Sequence, residues 1–331
     1  MQIRAVVLAA FEPDAGPVPG ELRFWMEREG IDQELPFAAG YRPLRLRGDG
    51  VLAVITGVGA ARAASSILAL GLDPRFDLSQ ALWIVTGVAG IDPARGSLGS
   101  VVLPEFVVDG SLTHEIDARE IPSAPSAWSD GFVPIGKTLP YEAPLEQRFN
   151  GEDGIVFRLN GALVQWAFDL GRSVELMDSP SMAARRVQFS PAATAHRPPS
   201  VLRGDELAST TFWHGRLLSE RARRWVAYQT EGAGDYTLTA MEDAGILEAL
   251  TRLARAGRVD SSRVLVVRGA SNFDQQRPGI SAAESLAETR VASYSAYRPA
   301  LENAWRVGSA VLRAWLQQEL AAAPDRTEAR A

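Results

Sequence analysis

The sequence predicts an α/β protein with a largely parallel sheet. Three observations carry that prediction. Short runs of continuous apolar character recur along the chain, the pattern of strands covered on both faces. Each ends in glycine or small polar residues. Segments with helical spacing lie between them. The chain has 331 residues, 46% of them hydrophobic, enough to pack one large domain or two small ones.

Taken in order, residues 3–11 read as a first buried strand. "VLAVITGVG" (51–59) is a second, ending in a glycine-rich turn, and "AARAASSILALG" (60–71) is the helix after it, stopped by Gly71. "ALWIVTGVAG" (81–90) and "GSLGSVVLPEFVVDG" (96–110) each read as one further strand. The stretch from about 111 to 205 changes character. Prolines recur from Pro122 to Pro199, and "GALVQWAFDLG" (161–171) is its clearest helix, so it reads as an irregular insertion on the core. "AMEDAGILEALTRLARAG" (240–257) is an amphipathic helix with Leu247, Leu250 and Leu253 on one side. "RVLVVRGAS" (263–271) is the last strand and 303–320 a terminal helix. A charged tail, 321–331, is expected to fray. The expected domain therefore spans 1–320.

Composition removes several function classes. The net charge is -6 and the basic residues are scattered, which argues against nucleic acid as a partner. No cysteine is present, so disulfides, thiolate metal sites and cysteine nucleophiles are excluded. The three histidines, His114, His196 and His214, are far apart, and no metal is expected. No apolar run approaches the ~18 residues of a membrane-spanning helix. The first apolar run lacks a cleavage region and reads as a strand, not a signal peptide. A cytoplasmic location is expected, with a periplasmic one left open.

In open α/β sheets the loops at the C-terminal strand ends hold the ligand. Four such points converge in sequence terms: 11–14, 56–59, 86–90 and 269–274. The turn "TGVGA" (56–60) can hold an anion on backbone N–H groups, or be no more than a tight turn. Glu242 can sit at the positive end of a helix, or accept hydrogen bonds from both hydroxyls of a ribose. Asn272 can cap a turn, or present its amide to the N7 and O6 edge of a purine, but it cannot act as an acid. Asp274 can, if burial raises its pKa. Asp14 is either a turn residue after Pro13 or a general base for water. Phe212, Trp213 and His214, in "TTFWHG", either pack in a core or sandwich a flat base.

The order of these signals is more specific than any one of them. With "FEPDAG" (11–16), "FDLSQALWIVTGVAGIDPARGSLGSVVLPEFVVDG" (76–110), "HEIDAREIP" (114–122), "STTFWHG" (209–215) and "VVRGASNFD" (266–274), the sequence resembles the nucleoside phosphorylase and nucleosidase superfamily, and within it the purine nucleoside permeases. The resemblance covers nearly the whole chain. It implies a single domain with a central twisted mixed sheet flanked by helices. It implies a purine nucleoside as ligand and a homo-oligomer, dimer or trimer, with no cofactor.

The resemblance also implies site roles. Met241 and Glu242 match the pair that holds the ribose, Phe212 the ring that stacks on the base, with Trp213 and His214 beside it. Ser271 and Asn272 match a Ser-Asp pair that protonates N7, and Asp14 stands for the acid that activates water. Gly87 and Val88 fall where a serine holds phosphate or water. Asparagine in place of the acid, and valine in place of the serine, are departures that favour 6-oxopurines and hydrolysis over phosphorolysis. The expected reaction is cleavage of a purine N-glycosidic bond, with Asp14 and Asp274 as catalytic groups. A non-catalytic binding component of nucleoside uptake is the first alternative, and a storage or scaffold protein the second.

Overall fold

The computed structural model describes residues 1–121, 130–135, 137, 155–190, 194–288 and 296–322. Four strands form its centre: β1 (Ala5–Ala9), β4 (Val51–Ile55), β5 (Leu82–Ile91) and β14 (Val264–Phe273). β1 lies parallel between β4 and β5, and β14 runs parallel to β5 on its other edge. Every residue of β1, β4 and β14 is buried. That is why these segments are apolar without alternation: helices cover both faces.

The sheet is mixed, as expected. β2 (Gln33–Leu35) and β3 (Leu44–Arg47) add an antiparallel edge beyond β4. On the other side the sheet branches at β5. Its last residues pair antiparallel with β13 (Tyr236–Ala240), which continues through β12 (Asp205–Ala208) and β7 (Phe106–Asp109) to β10 (Val156–Arg158). β14 turns instead to β6 (Val101–Leu103), which pairs with β11 (Val201–Arg203). Among the described residues twelve strands join in this one sheet.

Three departures from the sequence reading have simple causes. The single strand expected over 96–110 is two, β6 and β7, because Pro104 between them has no N–H to donate to a ladder. The terminal helix begins earlier than expected: α8 spans Tyr297–Ala322, and Pro299 falls in its first turn, where no N–H is needed. Among its described residues, the region 111–205 holds more regular structure than the prolines suggested. It gives the sheet β10 and β11, a small hairpin of β8 (Thr113–Glu115) and β9 (Phe132–Pro134), and two helices, α3 (Gly161–Gly171) and α4 (Pro180–Arg186). From residue 323 on, the expected tail lies outside the described residues.

The helices α1 (Arg23–Glu29), α2 (Ala60–Gly71), α5 (Arg216–Gln229), α6 (Asp243–Arg255), α7 (Ala282–Glu288) and α8 complete the fold. The α2–α6 contact matters most for the site. Gly245 lies so close to the start of α2 that a Cβ there would sit 2.2 Å from the Ala60 carbonyl oxygen. Without a side chain at 245, the two helix starts meet at the C-terminal end of the central strands.

Candidate functional site

At that end of the sheet is a cavity of about 190 Å³. The two residues after β1, Ala10 and Phe11, line it, and β5 contributes Val88, Ala89 and Gly90. Met241 and Glu242 come from the β13–α6 junction, Ser271 and Asn272 from β14. Phe212 stands at its mouth, the buried Tyr297 completes the lining, and Glu21 lies in its floor.

The floor is a buried charge cluster. Glu242 is 5% exposed, between β13 and α6. One carboxylate oxygen accepts from the Gly59 amide at 3.1 Å, and the other faces the Arg268 guanidinium at 3.3 Å. The glycine-rich turn therefore does hold an anion, but the anion is this protein's own carboxylate. Burial pushes the Glu242 carboxyl up to about 7. Arg268 opposes that rise, and the negative charges of Glu21 and Asp243 add to it.

Arg268 is fully buried on β14. It bonds both oxygens of Asp243, the first residue of α6, and reaches Glu242. Its Nη1 also points at the carbonyls of Thr86 and Val88, at 3.5 and 3.4 Å. A charge inside an otherwise apolar strand needs such partners to be tolerated. Glu206 on β12 is fully buried beside this cluster. Burial, followed by the nearby Asp243 charge, holds its carboxyl well above the usual range.

Glu21 stands two residues before α1 and folds back onto the end of β1, its own amide donating to the Phe11 carbonyl at 2.9 Å. One carboxylate oxygen accepts from the amides of Ala10 (2.9 Å) and Phe11 (3.0 Å), the other from Val88 (2.9 Å). Gly87 makes this possible. Its φ is +138°, a conformation that favours glycine, and a Cβ there would lie 2.5 Å from Glu21 and 2.7 Å from Arg268. Gly87 is thus the gap through which acid and guanidinium approach β5.

The wall carries the paired polar residues. Ser271 Oγ donates to Asn272 Oδ1 at 2.9 Å, and Asn272 Nδ2 donates to the Phe273 carbonyl at 3.1 Å. A carbonyl can only accept, so the amide orientation is fixed by this network. One N–H and one lone pair of the amide are left for a ligand.

The remaining expected site residues are placed as follows. Met241, Val88 and Phe212 line the cavity, and Phe212 is 47% exposed at its mouth. Trp213 is buried away from it, against Tyr236 in a separate apolar cluster with Trp225. His214 also turns away, with Nε2 3.0 Å from Ser285 Oγ on α7. Asp274 is not in the cavity. It is 1% exposed behind the wall, where one oxygen accepts from Tyr236 OH (2.7 Å) and Ser219 Oγ (2.9 Å). Burial raises its carboxyl to about 7, and the nearby Asp92 charge adds to this.

Asp14 is not in the cavity either. Its side chain is 88% exposed and pairs with Arg42. An aspartate five residues after the end of β1 stays in water because the chain from Pro13 to Gly20 loops outward before returning. The carboxylate that the fold delivers to the end of β1 is Glu21. Its signal in the sequence is an acid directly ahead of the apolar helix "LRFWMERE", after the loop "AGPVPG". The signal of Arg268 is a cation inside the apolar run "VLVVRGAS".

Among the described residues no group of three or more histidine, aspartate or glutamate side chains could hold a metal ion. Nor is any described helix long and apolar enough to cross a membrane. The fold is that of known nucleosidases. A futalosine hydrolase from Helicobacter pylori superposes with a TM-score of 0.56 at 12% identity, covering 94% of this chain and 98% of that one. A 5'-methylthioadenosine/S-adenosylhomocysteine nucleosidase from Colwellia psychrerythraea, solved with adenine, gives 0.55 at 16% identity, covering 95% and 96%. Among curated proteins, a probable purine nucleoside permease of Schizosaccharomyces pombe is 32% identical over 243 residues, 70% of this chain and 66% of that protein. The purine nucleoside permease of Candida albicans is 31% identical over 231 residues, 70% of this chain and 56% of that protein. The chain thus matches about three fifths of the length of these relatives. The family model for purine nucleoside permease (NUP) matches residues 2–319, and the chain belongs to that family.

Proposed function

We propose that this protein binds a purine nucleoside in the cavity and cleaves its N-glycosidic bond with water. One observation carries the reading. Two buried carboxylates, Glu21 and Glu242, converge with Arg268 on the floor of a cavity whose wall is Ser271–Asn272 and whose mouth holds an aromatic ring.

Glu242 accepts hydrogen bonds from the ribose hydroxyls, which requires it to be ionised. Asn272 offers its free N–H to N7 or O6 of the purine as electron density rises there. Glu21 takes a proton from water. Its carboxylate has about four lone-pair positions, of which backbone amides fill three. The one left over can accept from a water beside Arg268. As the glycosidic bond breaks, the ribosyl carbon gains positive charge close to Glu21 and Glu242. Water adds to that carbon, its proton passes to Glu21, and the base leaves with the bonding electrons and takes a proton from solvent. Preorganised charge of this kind is worth several kcal/mol of barrier. The general-base role expected of Asp14 passes to Glu21 in this reading, and the acid role expected of Asp274 has no occupant.

Hydrolysis is favoured over phosphorolysis because Arg268 is already engaged by Asp243 and Glu242, and Val88 supplies no hydroxyl. One observation favours a second reading, a binding protein for nucleoside uptake. Asn272 stands where a proton donor to the base is needed, and Glu21 and Glu242, the acids lining the cavity, lie in its floor.

Incubation with inosine, guanosine and adenosine, with and without phosphate, followed by chromatography, tests the proposal. Free base plus ribose without phosphate is the expected result. Ribose 1-phosphate formed only with phosphate contradicts the hydrolytic route. Saturable binding with no product selects the second reading.

A further inference from the structure

The cavity is small for its proposed ligand. Its 190 Å³ falls below the roughly 300 Å³ at the low end of small-molecule sites. A second space of about 330 Å³ is bounded by the same two wall residues, Ser271 and Asn272. It is a cleft between α4 and α7, open toward solvent at Ala184 and Gln188, both exposed.

The cleft has a defined chemistry. One wall is aromatic: Phe189 and Phe273 pack with ring centroids 4.2 Å apart. The rest is polar and neutral in sum. Arg185 bonds Glu288 through both terminal nitrogens at 3.1 Å and reaches Gln188 at 3.3 Å, while Glu288 is shared with Arg277 at 3.5 Å. Among the described lining residues no cation is left for a phosphate or carboxylate. Beside the free N–H of Asn272, the described lining holds one unanswered buried nitrogen: His214 Nδ1 has no partner, although Nε2 is held by Ser285. Burial, with Arg185 nearby, depresses the His214 pKa and so favours the neutral ring, whose Nδ1 can donate or accept according to its tautomer.

Purine geometry connects the two spaces. N7 and the 6-position lie on one edge of the base. A purine that turns N7 to Asn272 therefore directs its 6-substituent past Asn272 toward the cleft. We infer that the cleft between α4 and α7 is a subsite for a neutral, hydrogen-bonding substituent at the 6-position of the bound purine, with His214 as its polar anchor and the Phe189–Phe273 wall as its apolar side. The inference rests on the nucleoside-binding reading above.

Calorimetry on the full chain tests it with two ligands, purine riboside and 6-(2-hydroxyethylamino)purine riboside. The wild type is expected to bind the extended ligand about fivefold more tightly or better, the worth of one net hydrogen bond. Ala184→Trp fills the cleft mouth. It is expected to abolish that advantage while leaving purine riboside within about twofold, since the parent does not reach α4. If Ala184→Trp does not fold, Gln188→Trp, on the same exposed edge, replaces it. An extended ligand that binds no better than the parent, or a tryptophan that weakens both alike, overturns the subsite. Purine riboside binding alone sinks only this inference. If neither ligand binds, the nucleoside-binding reading has failed and the subsite falls with it.

Discussion

Glu242 and Asp274 make an instructive pair. Both are buried carboxylates at the C-terminal end of the sheet, and burial lifts both to about 7. Glu242 lines the cavity beside a guanidinium, with a backbone amide on one oxygen. Asp274 is sealed behind the wall, where Tyr236 and Ser219 bond one oxygen and the other has no partner. Titration near neutrality is therefore not by itself a mark of chemistry. What separates the two is that Glu242 lines the cavity and touches a guanidinium directly, whereas Asp274 is sealed off and feels its nearest cation, Arg223, only at a distance.

The largest effect that would sharpen this contrast is on the cation. Arg268→Met leaves Glu242 and Asp243 buried without their counter-charge. A loss of about 3–5 kcal/mol in unfolding free energy at pH 7 is expected. Denaturant melts check it, and a loss under about 1 kcal/mol would mean that these carboxylates are held by something other than Arg268.

Asp274 comes next, and its signature is in stability. Its folded pKa is raised above its unfolded value, so its stabilising contribution is full below about 4 and is lost as pH rises through about 7. The span is worth up to about 4 kcal/mol. Asp274→Asn mimics the protonated form, so it should flatten the fall in melting temperature between pH 5 and pH 8. Nucleoside affinity should stay within about twofold. An affinity loss of tenfold would place Asp274 in the site after all.

Glu242→Gln should act the other way round, on binding. Replacing an ionic acceptor of ribose hydroxyls costs about 1.5–3 kcal/mol, or roughly 10- to 150-fold in Kd. Wild-type affinity should rise with pH up to about 7 and then level, because the ionised carboxylate is the form that accepts from the sugar. The variant should show no such rise. A pH-independent wild-type affinity would break the assignment.

Much of this fold can be read from the sequence, for a physical reason. Strands buried on both faces must be continuously apolar, so β1, β4, β5 and β14 announce themselves. Ser271–Asn272 is legible because it lies in the last residues of such a strand, and Met241–Glu242 because it opens the amphipathic helix α6, places where chain position nearly fixes spatial position. Glu21 is different. It reaches β1 only because an eight-residue loop, Pro13 to Gly20, turns back and hydrogen-bonds Phe11, and no local pattern encodes that return. Nearness to the strand end in sequence pointed to Asp14, which the same loop leaves in water. Asp274 and Trp213 show the converse limit. Residue type and neighbourhood were right for a site, yet a turn of one or two residues decides which side of a wall a side chain faces.

The central claim is that Glu21 activates water in this cavity. Its most direct test measures inosine turnover and inosine affinity for Glu21→Gln and Asp14→Asn side by side with the wild type. The account predicts that Glu21→Gln loses turnover by about 10²–10⁴ while Kd changes by only a few-fold, and that Asp14→Asn matches the wild type in both. Retained turnover in Glu21→Gln, or its loss in Asp14→Asn, would contradict the account.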